Sequence, residues 1–133
     1  MTSKIIRSAV KSCEDSLAKL REAVGLLDKK SNAEFSDVLM DAAIKRFEVA
    51  FEYSWKLMKA VIEHEGSEAY GPRPAIQEAN RLGLIDDPEY WAVALDARNG
   101  SVHDYLGITH DEYLKVIKKF IKENEKLLVR TKK

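Results

Sequence analysis

The sequence contains one cysteine, Cys13, which excludes an intrachain disulfide and any zinc site built from several thiolates. Proline is nearly as scarce: three in 133 residues, at positions 72, 74 and 88, so long stretches carry nothing that interrupts a helix. No run approaches the roughly 18 uninterrupted apolar residues of a membrane span. The N-terminal MTSKIIRSAVKS lacks the apolar core of a secretory signal, so a cytoplasmic location is expected. Neither charge sign is in excess, with 22 lysines and arginines against 22 aspartates and glutamates. A molecule balanced in this way does not attract polyanions as a whole, so any nucleic-acid contact must come from a local basic face. Alternation of strand type is also missing.

What is present is apolar residues at 45% and charged residues at 33%, the balance of a folded globular chain. Its length suits a single domain, residues 1–133, which buries roughly two-thirds of the surface of its unfolded chain. The apolar residues recur with helical period. Ile6, Val10, Cys13, Leu17, Leu20, Val24 and Leu27 form one stripe, predicting a helix over 3–27, with Cys13 a small buried filler rather than a nucleophile. Lys29 to Phe35 reads as a polar connector, and Ser36 or Asp37 as the cap of a longer second helix ended by Gly66. In that helix Ile44, Phe47, Phe51, Trp55, Met58 and Ile62 share one face, and Ala43, Ala50, Ser54, Leu57 and Val61 widen it. Two neighbouring helices are therefore expected against it.

A short helix is predicted over 74–82, closed by Gly83, and a fourth opens at Asp87-Pro88 and stops at Asn99-Gly100. Thr109 and Glu112 form a capping-box pattern for the last helix, whose inner face is Tyr113, Ile117, Phe120, Ile121 and Leu128. Its other side carries Lys115, Lys118, Lys119, Lys122 and Lys126, read as a solvated face with an RNA or partner surface as the alternative. The expected fold class is all-α: an up-and-down helical bundle of four main helices and one short one.

Chemistry concentrates in DARNGSVHDYL, residues 96–106, where Arg98, Asn99, His103 and Tyr105 cluster around a helix stop. A structural account is open: Arg98 pairs with Asp96 or Asp104, His103 caps a helix and Tyr105 packs its ring. A chemical account is equally open. RNA carries its own nucleophile, the ribose 2′-OH, so cleavage without metal needs only positioning and proton transfer. Histidine can move the proton, and arginine can hold phosphate oxygens and the charge that develops on them. One chain supplies one histidine here, so a two-fold dimer with the site at its axis would provide both an acid and a base.

Elsewhere the signals are weaker. His103-Asp104 and His110-Asp111 are separated by Gly107, and capping already accounts for the second pair, so no metal is expected. His64 sits at a helix end, where it complements the dipole. The row Phe47, Phe51, Trp55 reads as core rather than a base-stacking platform. Arg73, beside two prolines, is a candidate phosphate or partner contact.

Arg98, four residues, His103, one residue, Tyr105 resembles the R-x4-H-x-Y signature of HEPN proteins of the HepT type, and Asn99 is the residue they favour after the arginine. Arg46-Phe47-Glu48, Phe51-Glu52 and Trp55-Lys56 resemble the central helix of that family's nucleotidyltransferase substrate-binding branch. The Pro72-Arg73 break, Ala79, Gly83-Leu84-Ile85 and Trp91 follow in the same order, so the likeness spans roughly residues 40–106. The resemblance implies a HEPN-like bundle that forms a homodimer with the motif in a cleft between protomers. It also implies a partner, a small nucleotidyltransferase encoded nearby. In some such pairs the HEPN protein is a metal-independent ribonuclease toxin, and the antitoxin transfers AMP to the motif tyrosine. Carried onto this chain, Arg98 and His103 are the catalytic pair, Asn99 supports them and Tyr105 is the nucleotidylation site. RNA is then the substrate, and no cofactor is expected. The alternative is a non-catalytic substrate-binding subunit of the nucleotidyltransferase.

Overall fold

A computed structural model describes residues 3–100 and 109–132. The expectations for His103 and Tyr105 fall in 101–108, outside the described residues. The elements are helix α1 (Lys4–Asp28), a short 3-10 helix (Lys30–Phe35), α2 (Ser36–His64), α3 (Pro72–Arg81), α4 (Pro88–Gly100) and α5 (His110–Thr131). Among the described residues every regular element is helical, and none of these helices is long and apolar enough to cross a membrane.

Local chemistry explains most boundaries. The Ser3 hydroxyl accepts from the Ile6 N–H at 3.1 Å and starts α1. At the end of α2, Gly66 takes φ +89°; its N–H donates to the Glu63 carbonyl and that of Ser67 to the Ile62 carbonyl. Gly83, at φ +80°, closes α3 with the same pair of bonds, to Asn80 and, through Leu84, to Ala79. Both ends are Schellman motifs, which need the left-handed backbone that glycine adopts without a Cβ penalty. Two expectations shift. The polar connector is a 3-10 helix, and α2 begins with Phe35 in the cap position and no side-chain cap. The short helix starts at Pro72 rather than Pro74, because a first turn requires no N–H of either proline.

The wide apolar face of α2 has its reason in packing: this helix touches all four of the others. Its Phe47 ring meets Tyr113 and Phe120 of α5 edge-on, at centroid separations of 5.8 and 5.2 Å. Trp91 of α4 packs on Phe51 and Phe120, at 6.1 and 5.6 Å. Phe47, Phe51, Trp91 and Phe120 have no exposed surface, and each such ring contributes about 1.5–3 kcal/mol by burial. Trp55 lies only half-buried, at the margin of this core. Within this core Cys13 is held between Ser54 (3.7 Å) and Asn124 (3.4 Å). Burial pushes its thiol pKa up, the opposite of what a nucleophile needs.

Three of the five lysines of α5 are tied to acids, while Lys115 and Lys122 have no ion pair among the described residues. Lys118 reaches Asp28 at 3.0 Å, Lys119 reaches Asp87 at 3.0 Å, and Lys126 reaches Glu123 at 3.1 Å and Asp86 at 3.8 Å. Solvent screens such pairs, so they add little to stability, but they offset the positive charge at these three lysines.

Candidate functional site

Helix α4 delivers Arg98. It opens where the Asp87 carboxylate accepts the Tyr90 N–H at 3.0 Å, with Pro88 in the first turn. Two tyrosines then pin it to α5: the Tyr90 hydroxyl donates to the Val116 carbonyl at 2.5 Å, and that of Tyr113 to the Ala97 carbonyl at 2.9 Å. Arg98 sits in the last turn, where a cation complements the helix dipole.

Of the two acids expected to pair with Arg98, Asp104 lies outside the described residues and Asp96 is engaged by Arg73 instead. The Arg98 guanidinium pairs with Glu52 of α2 and also donates to the Asn99 side-chain oxygen at 3.2 Å. The second carboxylate oxygen of Glu52 accepts the Trp55 indole N–H at 3.1 Å and lies 3.6 Å from the Lys56 ammonium. Arg98 and Glu52 are 29% and 30% exposed, so the pair is screened less than a surface ion pair. Glu52, one turn before the half-buried tryptophan, is thus the bracket that fixes the arginine. The sequence marks Glu52 only as part of the family-like Phe51-Glu52 pair and not as a partner of Arg98, because that link crosses 46 residues.

Arg98 and Asn99 line a groove of about 390 Å³ completed by Lys45, Glu48, Val49 and Glu52 of α2. A second anchored end lies beyond residues 101–108. The Thr109 hydroxyl accepts the Glu112 N–H at 3.1 Å and caps α5, and Tyr113 in its first turn holds Ala97.

Arg73 is not part of this groove. It pairs with Asp96 at 3.2 Å, and positions 96 and 98 differ by about 200° around a helix, so the two arginines serve different faces of α4. His64 lies 4.0 Å from Glu65 at the end of α2, in keeping with the helix-end reading. Among the described residues no group of three or more histidine, cysteine, aspartate and glutamate side chains is placed to hold a metal ion.

The family described as nucleotidyltransferase substrate binding protein like matches residues 8–133. A Haemophilus influenzae protein named probable ribonuclease HepT is 36% identical over 74 residues, 52% of this chain and 51% of that one. The chain therefore spans about half the length of this curated relative. A Thermus thermophilus protein of solved structure is 30% identical, with 91% of this chain and 99% of that one covered at a TM-score of 0.77. A Shewanella oneidensis HEPN toxin, solved tri-AMPylated and in complex with its MNT antitoxin, is 16% identical at a TM-score of 0.80 over 98% of each chain, a likeness of fold. With the family match running over nearly the whole chain and a HEPN-like bundle seen in its helices, the protein belongs to the nucleotidyltransferase substrate-binding protein-like family.

Proposed function

We propose that this protein is the HEPN partner of a minimal nucleotidyltransferase and a metal-independent endoribonuclease toxin, with Arg98 and His103 as its catalytic pair. The observation that carries the reading is the fixed guanidinium of Arg98. It is bracketed by Glu52 on a groove lined by Arg98 and Asn99, and His103 and Tyr105 follow within seven residues in the sequence. In the reaction the ribose 2′-oxygen attacks the adjacent phosphorus, and the bond from phosphorus to the 5′-oxygen breaks. The products are a 2′,3′-cyclic phosphate and a 5′-hydroxyl. One His103 takes the proton from the 2′-OH and the second His103 of a homodimer delivers one to the leaving oxygen. Arg98 stabilises the charge on the non-bridging oxygens, and Asn99 orients it. All bonds are made and broken without a metal or cofactor.

Regulation follows from Tyr105. Its hydroxyl attacks the α-phosphorus of ATP held by the nucleotidyltransferase antitoxin, pyrophosphate leaves, and an anionic AMP group remains. That group fills the cleft and repels RNA phosphate. The name of the Shewanella toxin, tri-AMPylated and bound to its antitoxin, supports the type of partner and of modification.

A second reading is a non-catalytic subunit that presents substrate to the nucleotidyltransferase. The family's own description favours it, as does the Glu52 carboxylate already seated on Arg98.

RNA cleavage by the purified protein in EDTA, beside His103→Ala, separates the two. Cleavage by the unsubstituted protein alone, leaving cyclic phosphate ends, supports the ribonuclease. Absence of cleavage by both, with Tyr105 unmodified by mass spectrometry, overturns it in favour of the binding subunit.

A further inference from the structure

A chain with zero net charge needs a local basic surface to hold RNA, and the two candidate surfaces differ in how far their own acids neutralise them. On α5, Lys118, Lys119 and Lys126 are each paired with carboxylates, which leaves only Lys115 and Lys122 open there, neither with an aromatic ring contact among the described residues. The groove between α1 and α2 is different. A cavity of about 480 Å³ there is lined by residues that include Lys19, Lys45, Val49 and Tyr53. It joins the Arg98 groove through the shared Lys45 and Val49. At its other end it shares Tyr53 with a hollow of about 420 Å³ that adds Lys4 and Lys56. Lys4, Lys19 and Lys45 are exposed and have no ion-pair partner among the described residues. Acids beside this path are Asp15, tied to Lys11 at 2.9 Å, Glu22, tied to the lining Arg46 at 2.9 Å, and Glu48 and Glu52 at the Arg98 end, with Glu52 also 3.6 Å from Lys56. Midway, Tyr53 leaves 40% of its surface in solvent, an aromatic face where a bundle core does not need one.

We propose that the α1–α2 groove is a single-stranded RNA track, with phosphates on Lys4, Lys19 and Lys45 and a base stacked on Tyr53, leading the strand to Arg98. The proposal rests on the ribonuclease reading for its direction, and on the groove's own charge and aromatic face for its ligand. From Lys45 to Lys56 the helix rises about 16 Å. That is the length of four to five stacked nucleotides at about 3.4 Å each. Unpaired lysines at intervals with an aromatic platform between them are what a sequence-tolerant single-strand site requires.

The test is fluorescence anisotropy of a short single-stranded oligoribonucleotide with His103→Ala protein, so that the probe survives, titrated over a range of salt. Lys19→Gln and Lys45→Gln are expected each to lower the slope of log affinity against log salt by about 0.7, the value per phosphate contact on a single strand. Tyr53→Ala should weaken binding about five- to a hundred-fold, with Tyr53→Phe restoring it. Lys122→Gln, on the far helix, should change nothing. Binding unaffected by the groove substitutions, or weakened equally by Lys122→Gln, overturns the track. So does a groove variant that changes the sedimentation coefficient instead of the salt slope, since a second copy of the chain would then occupy the groove. RNA binding that follows this pattern while unsubstituted protein fails to cleave sinks the ribonuclease and leaves the track. Cleavage that is indifferent to Lys19, Lys45 and Tyr53 at limiting RNA does the reverse.

Discussion

Replacing Glu52 by alanine removes the bracket that holds Arg98, and the size of the effect follows from where the pair lies. Fully exposed ion pairs contribute about 0.2–1 kcal/mol, whereas removing one partner of a buried pair costs about 3–5 kcal/mol. Both side chains here are about 30% exposed, and the same carboxylate also accepts the Trp55 indole N–H at 3.1 Å. The expected loss is therefore about 1–2 kcal/mol, which for a chain of this length lowers Tm by about 3–8 °C. Glu52→Gln keeps an oxygen for Arg98 and Trp55 but loses the charge, so its loss should be about half as large. The decisive assay is a double-mutant cycle with Arg98→Ala, read by urea denaturation. Coupling of about 1 kcal/mol or more between the two positions is expected. Effects that add to within about 0.5 kcal/mol would refute the argument, because they would mean that solvent screens the pair and that Glu52 fixes nothing. In the cleavage assay Glu52→Ala should lower kcat more than it alters KM, with partial rescue by Glu52→Gln. A fall in KM with kcat intact would make Glu52 a competitor for the phosphate instead.

Two further outcomes follow from the packing and the caps. Phe47→Ala removes a ring with no exposed surface that meets Phe51, Tyr113 and Phe120, so a loss of about 3–5 kcal/mol is expected by urea titration; a loss under about 1 kcal/mol would show that the aromatic core re-collapses. Asp87 has its carboxyl held below its ordinary 3.8, first by the Tyr90 N–H and then by Lys119. A group depressed in the folded state contributes stability that is present above the unfolded pKa and is lost as pH falls through the folded one. Tm should therefore fall between about pH 5 and pH 2, and Asp87→Asn should make that acid limb shallower while keeping the helix cap. An unchanged limb in the variant would assign the acid sensitivity to other carboxylates.

The helices were legible because each is written locally. The period of Ile6 to Leu27 marks α1, and Gly66 and Gly83 mark the Schellman ends of α2 and α3. Thr109 with Glu112 marks the start of α5, and Asp87-Pro88 that of α4. These signals act between residues three to five apart, so a linear reading finds them. The face of α2 was wide enough in the sequence to demand two neighbours, and the packing sets four helices against α2 while leaving Trp55 half-buried at the margin. The boundary at Pro72 was missed because two prolines two residues apart both suit a first turn, and the choice between them is not a local one.

The candidate site divides along the same line. Arg98, Asn99, His103 and Tyr105 announce themselves by spacing, and the family likeness gives that spacing a meaning. Which acid answers Arg98 was not announced. Asp96, two residues away, goes to Arg73 of another helix, and Glu52, 46 residues away, takes the arginine instead. The lysines show the same limit: α5 carries the conspicuous cluster, yet folding brings Asp28, Asp86 and Asp87 onto it, while Lys19 and Lys45, inconspicuous in the sequence, line one groove. The sequence by itself determined the helices, their ends and the residues with chemistry to offer, because hydrophobic period and capping act over a few residues. Only the tertiary structure decided which charges meet and which stay open, because Coulomb pairing depends on distance in space, which chain separation does not measure.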